Sequence, residues 1–251
     1  MPASIPRPAI DLVVARYAER LEWTRNVPRD INVFIYNKGA QLEPNLVPRA
    51  RIERLDNIGL EAHTYLHHLV ARYDSLAPLT VFCQGNPFDH ANDFHKVLRR
   101  IAADVDAVEK FHWFGFIIDS DDPKGERLFV PWHKNKDGRQ LTLDPFCRAL
   151  FDAPAARWSQ FYVGAQFAVT RQQAHHRSRA FYERALQMAV EYPDAPMCFE
   201  RVWDRVFDVV GVDPTLMNGQ LCRYLKPVRN MECSSLKVAR GRSYTRKRKL
   251  E

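Results

Sequence analysis

A mainly parallel α/β sheet flanked by helices is the class this sequence predicts, and three observations predict it. Short apolar, β-branched runs recur along the 251 residues. Segments of helical period lie between several of these runs, and polar clusters rich in Gly, Pro or Asn follow them directly. Strands that alternate with helices can pair in parallel, because each intervening helix supplies the long crossover that a parallel neighbour requires.

The runs are Ile10 to Ala15, Ile31 to Tyr36, Leu79 to Cys83, Trp113 to Ile118 and Phe161 to Val169. Val81-Phe-Cys is continuously apolar, as expected of a strand covered on both faces. Between the second and third runs, Glu61 to Tyr73 carries Ala62, Tyr65, Leu66, Leu69, Val70 and Tyr73 at the i, i+3, i+4, i+7 spacing of one buried helical stripe. Phe199, Val202, Trp203, Val206, Phe207 and Val210 repeat that spacing, predicting a second continuous helix with Glu200 in its first turn.

Composition bounds the rest. An apolar fraction of 46% can bury a sizeable core, and 27% charged with 12% aromatic residues is ordinary for a folded domain. No run reaches the roughly 18 apolar residues of a membrane span. Prolines interrupt Met1 to Pro8 where a signal peptide would carry its apolar stretch. The five cysteines are odd in number and lack C-x-x-C spacing, which fits a reducing cytoplasm better than a disulfide framework.

The net charge of +7 is concentrated at one end, since Lys237 to Glu251 holds seven Lys/Arg and one Glu. The remaining chain is nearly neutral, so nucleic acid is not an expected partner; a weak contact of the tail with an anionic membrane surface is the alternative to a solvated terminus. The expected organisation is one domain over residues 1–230 and a basic tail over 231–251.

Open α/β sheets bind ligands beyond the carboxyl ends of their strands, which directs attention to Arg16-Tyr17, Asn37-Lys38, Gln84-Gly85-Asn86 and Asp119-Ser-Asp121-Asp122. The last set places two carboxylates two residues apart, a spacing that can share Mn or Mg, although Asp-x-Asp-Asp before Pro-Lys-Gly is more commonly turn chemistry. Asp56-Asn57-Ile-Gly59-Leu-Glu61 leads into the first helix and is open to two readings: a dock for phosphate or sugar on the backbone N–H groups, or plain capping. His63 and His67, four apart, with Asp89 and His90 after the third strand, form a weaker metal-hydrolase alternative. Glu200 is a candidate general base. There is no G-x-S-x-G, Walker A or G-x-G-x-x-G sequence.

Several segments, in this order, carry a resemblance: Val13-Val-Ala-Arg-Tyr, Ile35-Tyr-Asn-Lys-Gly, Asn57-Ile-Gly-Leu-Glu-Ala-His-Thr-Tyr-Leu-His-His, Val81-Phe-Cys-Gln-Gly-Asn-Pro-Phe-Asp-His, Phe161-Tyr-Val-Gly-Ala-Gln-Phe-Ala-Val-Thr-Arg and Phe199-Glu-Arg-Val-Trp. They resemble the domain-of-unknown-function family numbered 3431, departing from it at Leu60 (Arg expected) and Cys83 (Leu expected). The layout is also similar to nucleotide-sugar glycosyltransferases of the GT-A type, with Gln84-Gly85-Asn86 where those enzymes usually hold an Asp-x-Asp metal site. Neutral amides are poor ligands for a hard cation, so the resemblance implies a metal-independent enzyme, like the xylosyltransferase and core-branching group whose serine-glutamine-phenylalanine strand is similar to Ser159-Gln-Phe-Tyr.

That resemblance implies an inverting transfer from a nucleotide-sugar donor to a glycan or other hydroxyl acceptor, with no cofactor required and Glu200 as base. Donor contacts would come from Arg16, Tyr17, Asn37, Lys38, Asn57, Gly59, Glu61, Gln84, Gly85 and Asn86. Gln166, Arg171, Arg201 and Trp203 would meet the sugar or acceptor. The alternatives are a metal-dependent transferase using Asp119, Asp121 and Asp122, a His/Asp metal hydrolase, and a non-catalytic module binding through its tail.

Overall fold

The computed structural model describes residues 9–43, 45–125 and 141–225; the basic tail lies outside them. In chain order the elements are β1 (Ile10–Arg16), β2 (Ile31–Asn37), β3 (Ala50–Arg54), α1 (Leu60–Arg72), β4 (Leu79–Gln84), α2 (Phe94–Ala103), β5 (Phe111–Phe114) and β6 (Ile117–Asp121). Then come α3 (Leu143–Phe151), β7 (Ser159–Tyr162), β8 (Gln166–Thr170), α4 (Arg171–Ala174), α5 (Arg179–Glu191), α6 (Ala195–Glu200), α7 (Trp203–Val206), α8 (Pro214–Met217) and β9 (Cys222–Tyr224).

The expected α/β class holds: six strands form a central sheet in the order β3-β2-β1-β4-β8-β5, parallel except for β8. Strand alternation sorts side chains onto two faces. Val13, Phe34, Tyr36, Phe82 and Phe167 join α1, α5 and α6 in one core. Leu12, Val14, Ile35, Val81 and Ala168 join α2 in the other. Helices on both faces of a sheet buried on both sides make the Rossmann-like, GT-A-like three-layer sandwich.

Two expected strands are each broken in two. The run from Trp113 to Ile118 divides at Gly115-Phe116, with β5 in the central sheet and β6 in a second sheet of order β7-β6-β9. The run from Phe161 to Val169 divides at Gly164-Ala165, where φ is +103 and +49. Glycine suits the first of these positions because it has no Cβ, and a Cβ there would run into the His90 ring. The chain thus exchanges sheets at both breaks and returns to the small sheet once more at β9, and that sheet keeps its own core of Phe116, Ile117, Phe161, Val163, Cys222 and Tyr224.

The expected continuous helix from Phe199 is also divided. α6 stops at Glu200, and Val202, with φ −133 and ψ 15, leaves the helical region before α7 begins. Glu200 therefore ends a helix instead of opening one. Val210, expected on the buried stripe, is exposed. Cys83, Cys147, Cys198 and Cys222 are buried and outside any disulfide among the described residues.

α1 matches its predicted stripe to within a residue at each end and buries Ala62, Tyr65, Leu66 and Leu69. On its core face His68 is fully buried, sharing a 2.9 Å hydrogen bond between Nδ1 and the Tyr36 hydroxyl. Burial, reinforced by the charge of Arg72, pulls the pKa of His68 from 6.5 to about 3. An unfolded histidine takes up a proton below about 6.5 that the folded chain refuses, so this contribution is intact above pH 6.5 and is lost progressively as pH falls towards 3. The slope is about 1.4 kcal/mol per pH unit for one such group. Melting temperatures measured at pH 7 and pH 5 should therefore fall further in the wild type than in His68→Gln; parallel falls would contradict this account.

Candidate functional site

β1 pairs with β2 and β4 in a register that matches Arg16 to Asn37 and Ala15 to Gln84, so all three strands end at one level. A crevice of about 180 Å³ opens there, lined by Ala15, Arg16, Tyr17, Glu19, Lys38, Asn57, Leu60, Glu61 and Gln84. Six of the ten expected donor residues meet in it: Arg16, Tyr17, Lys38, Asn57, Glu61 and Gln84. Sequence reasoning missed Glu19, three residues past the end of β1, because it followed the polar cluster only as far as Tyr17.

The cations of this crevice are tied to main-chain oxygens. Lys38 Nζ donates to Ile58 O at 2.6 Å and Leu60 O at 2.5 Å, fixing the turn before α1. Burial lowers the Lys38 pKa to about 8, partly offset by Glu61. Arg16 donates through Nη1 to Asn37 Oδ1 and Ala40 O, both at 2.8 Å, and through Nε to Glu19 O at 3.2 Å. Asn37 is a correction to the expected donor set: its amide is taken up by Arg16, the Gly39 N–H and Ala40 O, and it holds the turn after β2. Gly59 sits beneath the crevice at the start of α1 with φ +60, and no side chain caps that helix.

The turn after β4 is also held from within. Trp23 Nε1 donates to Gly85 O at 2.8 Å, Asn86 is half-buried ahead of a short 3-10 turn over Pro87–Asp89, and Gln166 Nε2 donates to Pro87 O at 3.0 Å. Gln166 is wholly buried and positions this turn; it is not a surface contact for an acceptor.

Glu200 is not among the crevice-lining residues, yet it reaches the same edge of the sheet. Its Oε1 accepts from the Gly164 N–H at 2.7 Å. The pairing of Phe82 with Phe167 in antiparallel β4 and β8 carries Gly164 to the level of the turn after Gln84. Burial holds the Tyr65 hydroxyl well above its ordinary pKa, with lesser contributions from Glu61, Cys83 and Glu200.

Three expected contacts are overturned. Arg171 begins α4 at the opposite edge, its N–H on Pro78 O, because antiparallel β8 carries its last residues away from the crevice. Trp203 is wholly buried, stacked on Phe199 and Phe207, and cannot meet an acceptor. Arg201 is buried against Asp121, Nε to Oδ2 at 2.7 Å with both side chains 0% exposed, and its guanidinium lies 5.0 Å from the Phe161 ring centroid.

The metal alternatives fare similarly. Asp119 and Asp121 lie inside β6 as buried residues, not in a turn beyond a strand end. Asp119 accepts from the Ser120 N–H, Asp122 accepts from the Lys124 N–H, and Asp121 is committed to Arg201. His67 Nε2 contacts Glu53 Oε1 at 2.8 Å, 6.2 Å separates the His63 and His67 rings, and His90 lies by Gly164 at the turn after β4. Among the described residues no three His, Cys, Asp or Glu side chains gather as a metal site.

The molecule is thus an α/β protein with a polar crevice at the carboxyl edge of a mainly parallel sheet. Residues 12–223 match the family described as proteins of unknown function, DUF3431, and the chain belongs to that family. No curated protein matches it. Among solved structures it is similar to 4-diphosphocytidyl-2C-methyl-D-erythritol synthase from Anaerococcus prevotii DSM 20548, at 13% identity and a TM-score of 0.36, covering 81% of this chain and 85% of that one. It is also similar to a CMP:2-keto-3-deoxy-manno-octonic acid synthetase complexed with CTP, at 11% identity and a TM-score of 0.32, covering 78% and 85%. No helix among the described residues is long and apolar enough to cross a membrane.

Removing Asp121 leaves the buried Arg201 guanidinium with only the more distant Glu200 carboxylate, at 3.8 Å, to offset it, and breaking a buried pair in this way costs up to about 3–5 kcal/mol. Urea denaturation of Asp121→Asn should show a loss of that order. Asp121→Leu combined with Arg201→Met should recover most of it. A double variant as unstable as the single one would mean that the pair is more than a mutual neutralisation.

Proposed function

We propose that the chain is a glycosyltransferase that binds a nucleotide-sugar donor in the crevice at the ends of β1, β2 and β4 and passes the sugar to an acceptor hydroxyl by an inverting route. The observation that supports this most is the convergence of Arg16, Lys38, Asn57 and Gln84 at that edge, where open α/β sheets place their ligands. Planar amides offer donors and acceptors together, which suits sugar hydroxyls, and Arg16 and Lys38 stand among the lining residues where a diphosphate would lie. Neutral amides after β4 support a reaction that needs no metal. Four buried cysteines, Cys83, Cys147, Cys198 and Cys222, that form no disulfide among the described residues suit a reducing compartment such as the cytoplasm.

Direct displacement at the anomeric carbon needs one base to take the acceptor proton, and Glu200 is assigned that role. The Gly164 N–H fixes one carboxylate oxygen, and Arg201 Nη1 stands 3.8 Å from the other.

A thermal-shift panel of nucleoside diphosphates and nucleotide sugars, run with and without manganese, should show stabilisation by one nucleotide class that survives chelation; a ligand at 100 times its dissociation constant adds about 2.7 kcal/mol. With the donor so identified, Glu200→Gln should lower turnover about 10²-fold or more and leave donor affinity unchanged. Full turnover in Glu200→Gln alongside loss in Glu61→Gln would move the base to the crevice carboxylate. A panel with no stabilising nucleotide would sink the reading.

A further inference from the structure

The crevice contains a feature that the proposed reaction does not use. Glu19 Oε2 accepts the backbone N–H of Tyr17 at 2.7 Å and of Ala18 at 3.1 Å. Two successive N–H groups converging on one oxygen form an anion-binding concavity, here filled by the chain's own carboxylate. The Glu19 side chain lies directly over Gly85: a Cβ built on that glycine would come within 2.6 Å of Oε2 and 2.8 Å of the carboxyl carbon. The carboxylate therefore spans from the turn after β1 to the turn after β4, across the line where the crevice opens.

This arrangement poses an electrostatic problem for a diphosphate. Arg16 and Lys38 are balanced by Glu19 and Glu61 among the lining residues, so the crevice as it stands has no surplus positive charge to offer. The same two N–H groups cannot serve both the Glu19 carboxylate and an incoming phosphoryl oxygen. Exchanging one anion for the other conserves both hydrogen bonds, takes the protein's own Glu19 charge out of the crevice and leaves Arg16 to face the new occupant.

We infer that Glu19 is a built-in competitor: its carboxylate occupies a phosphoryl subsite formed by the Tyr17 and Ala18 N–H groups, and an entering phosphoryl group displaces it. The inference rests on the reading that the crevice takes a nucleotide sugar, and it adds which atoms receive the phosphoryl oxygens and what must leave first. Glu19 is half-buried and tied by two hydrogen bonds to one of its oxygens, so swinging it into solvent leaves no buried charge behind.

The test is isothermal titration of the full chain with inorganic pyrophosphate, once in EDTA and once with magnesium. Removing the competitor should tighten binding, so Glu19→Ala is expected to bind pyrophosphate about tenfold more tightly than wild type in EDTA, the equivalent of roughly one charge-assisted hydrogen bond no longer contested. Gly85→Ala, which pushes the carboxylate off its seat with Glu19 still present, should shift affinity in the same direction. Unchanged affinity in Glu19→Ala, or no pyrophosphate binding by either protein, overturns the inference and leaves Glu19 as a loop brace. Weaker binding in Glu19→Ala also overturns it; weakening confined to magnesium would make Glu19 a ligand of a bridging cation. In each of these outcomes wild-type binding of a nucleotide sugar can still stand, so the two readings fail separately.

Discussion

The aligned parallel pairing of β1 with β2 on one side and β4 on the other is the constraint on which the rest depends. Because the three strands share a register and end together, Arg16, Asn37 and Gln84 leave the sheet at one height and their loops face a common opening. A slip of one residue in either pair would turn alternate side chains to the wrong face, and both faces are buried, so each core opposes it. The crevice is in this sense a by-product of core packing: Leu12 and Val14 below the sheet and Val13 above it hold the register that aligns the strand ends.

At that edge the charged side chains work first on the protein itself. Lys38 closes the turn before α1 through two carbonyls, and Arg16 ties β1 to the turn after β2. The Ile58 and Leu60 carbonyls gathered in the turn before α1 repel one another and need donors, and the buried lysine supplies a hydrogen bond to each. Its pKa of about 8 reflects the burial this requires. The loops around the opening are consequently fixed by the protein's own contacts, with the Gln84 and Asn57 amides and the Tyr17 ring on the walls, so the ligand proposed for this crevice would have little backbone left to order.

Much of this was legible in the sequence. The strands β1, β2 and β4 and the helix α1 announce themselves by apolar runs and a 3.6-residue stripe, and the polar residues that follow them do converge. What periodicity cannot show is a change of sheet. Apolar character continues from Trp113 to Ile118 and from Phe161 to Val169 because both sheets bury those residues, so the breaks at Gly115 and Gly164 leave no mark on the pattern. The stripe from Phe199 to Phe207 survives the break at Val202 for the same reason. Arg201 looked like a surface cation in the sequence; its partner Asp121 is eighty residues away, and only the fold brings them together. Arg171 was misplaced because strand direction cannot be read from composition.

Strand direction also explains how Glu200 comes to the edge of the sheet that carries the crevice. β8 is the single antiparallel member of the central sheet, so its first residues, not its last, stand beside the end of β4. Gln166 then reaches Pro87, and the Gly164 N–H, freed from strand pairing by the positive-φ turn, meets the Glu200 carboxylate arriving from the end of α6. Had β8 been parallel, this edge would hold Thr170 and Arg171, and Glu200 would have no backbone donor near β4. The sheet switch at Gly164 thus does two things: it divides an apolar run between two cores, and it turns a buried N–H towards the Glu200 carboxylate at the level of the turn after Gln84.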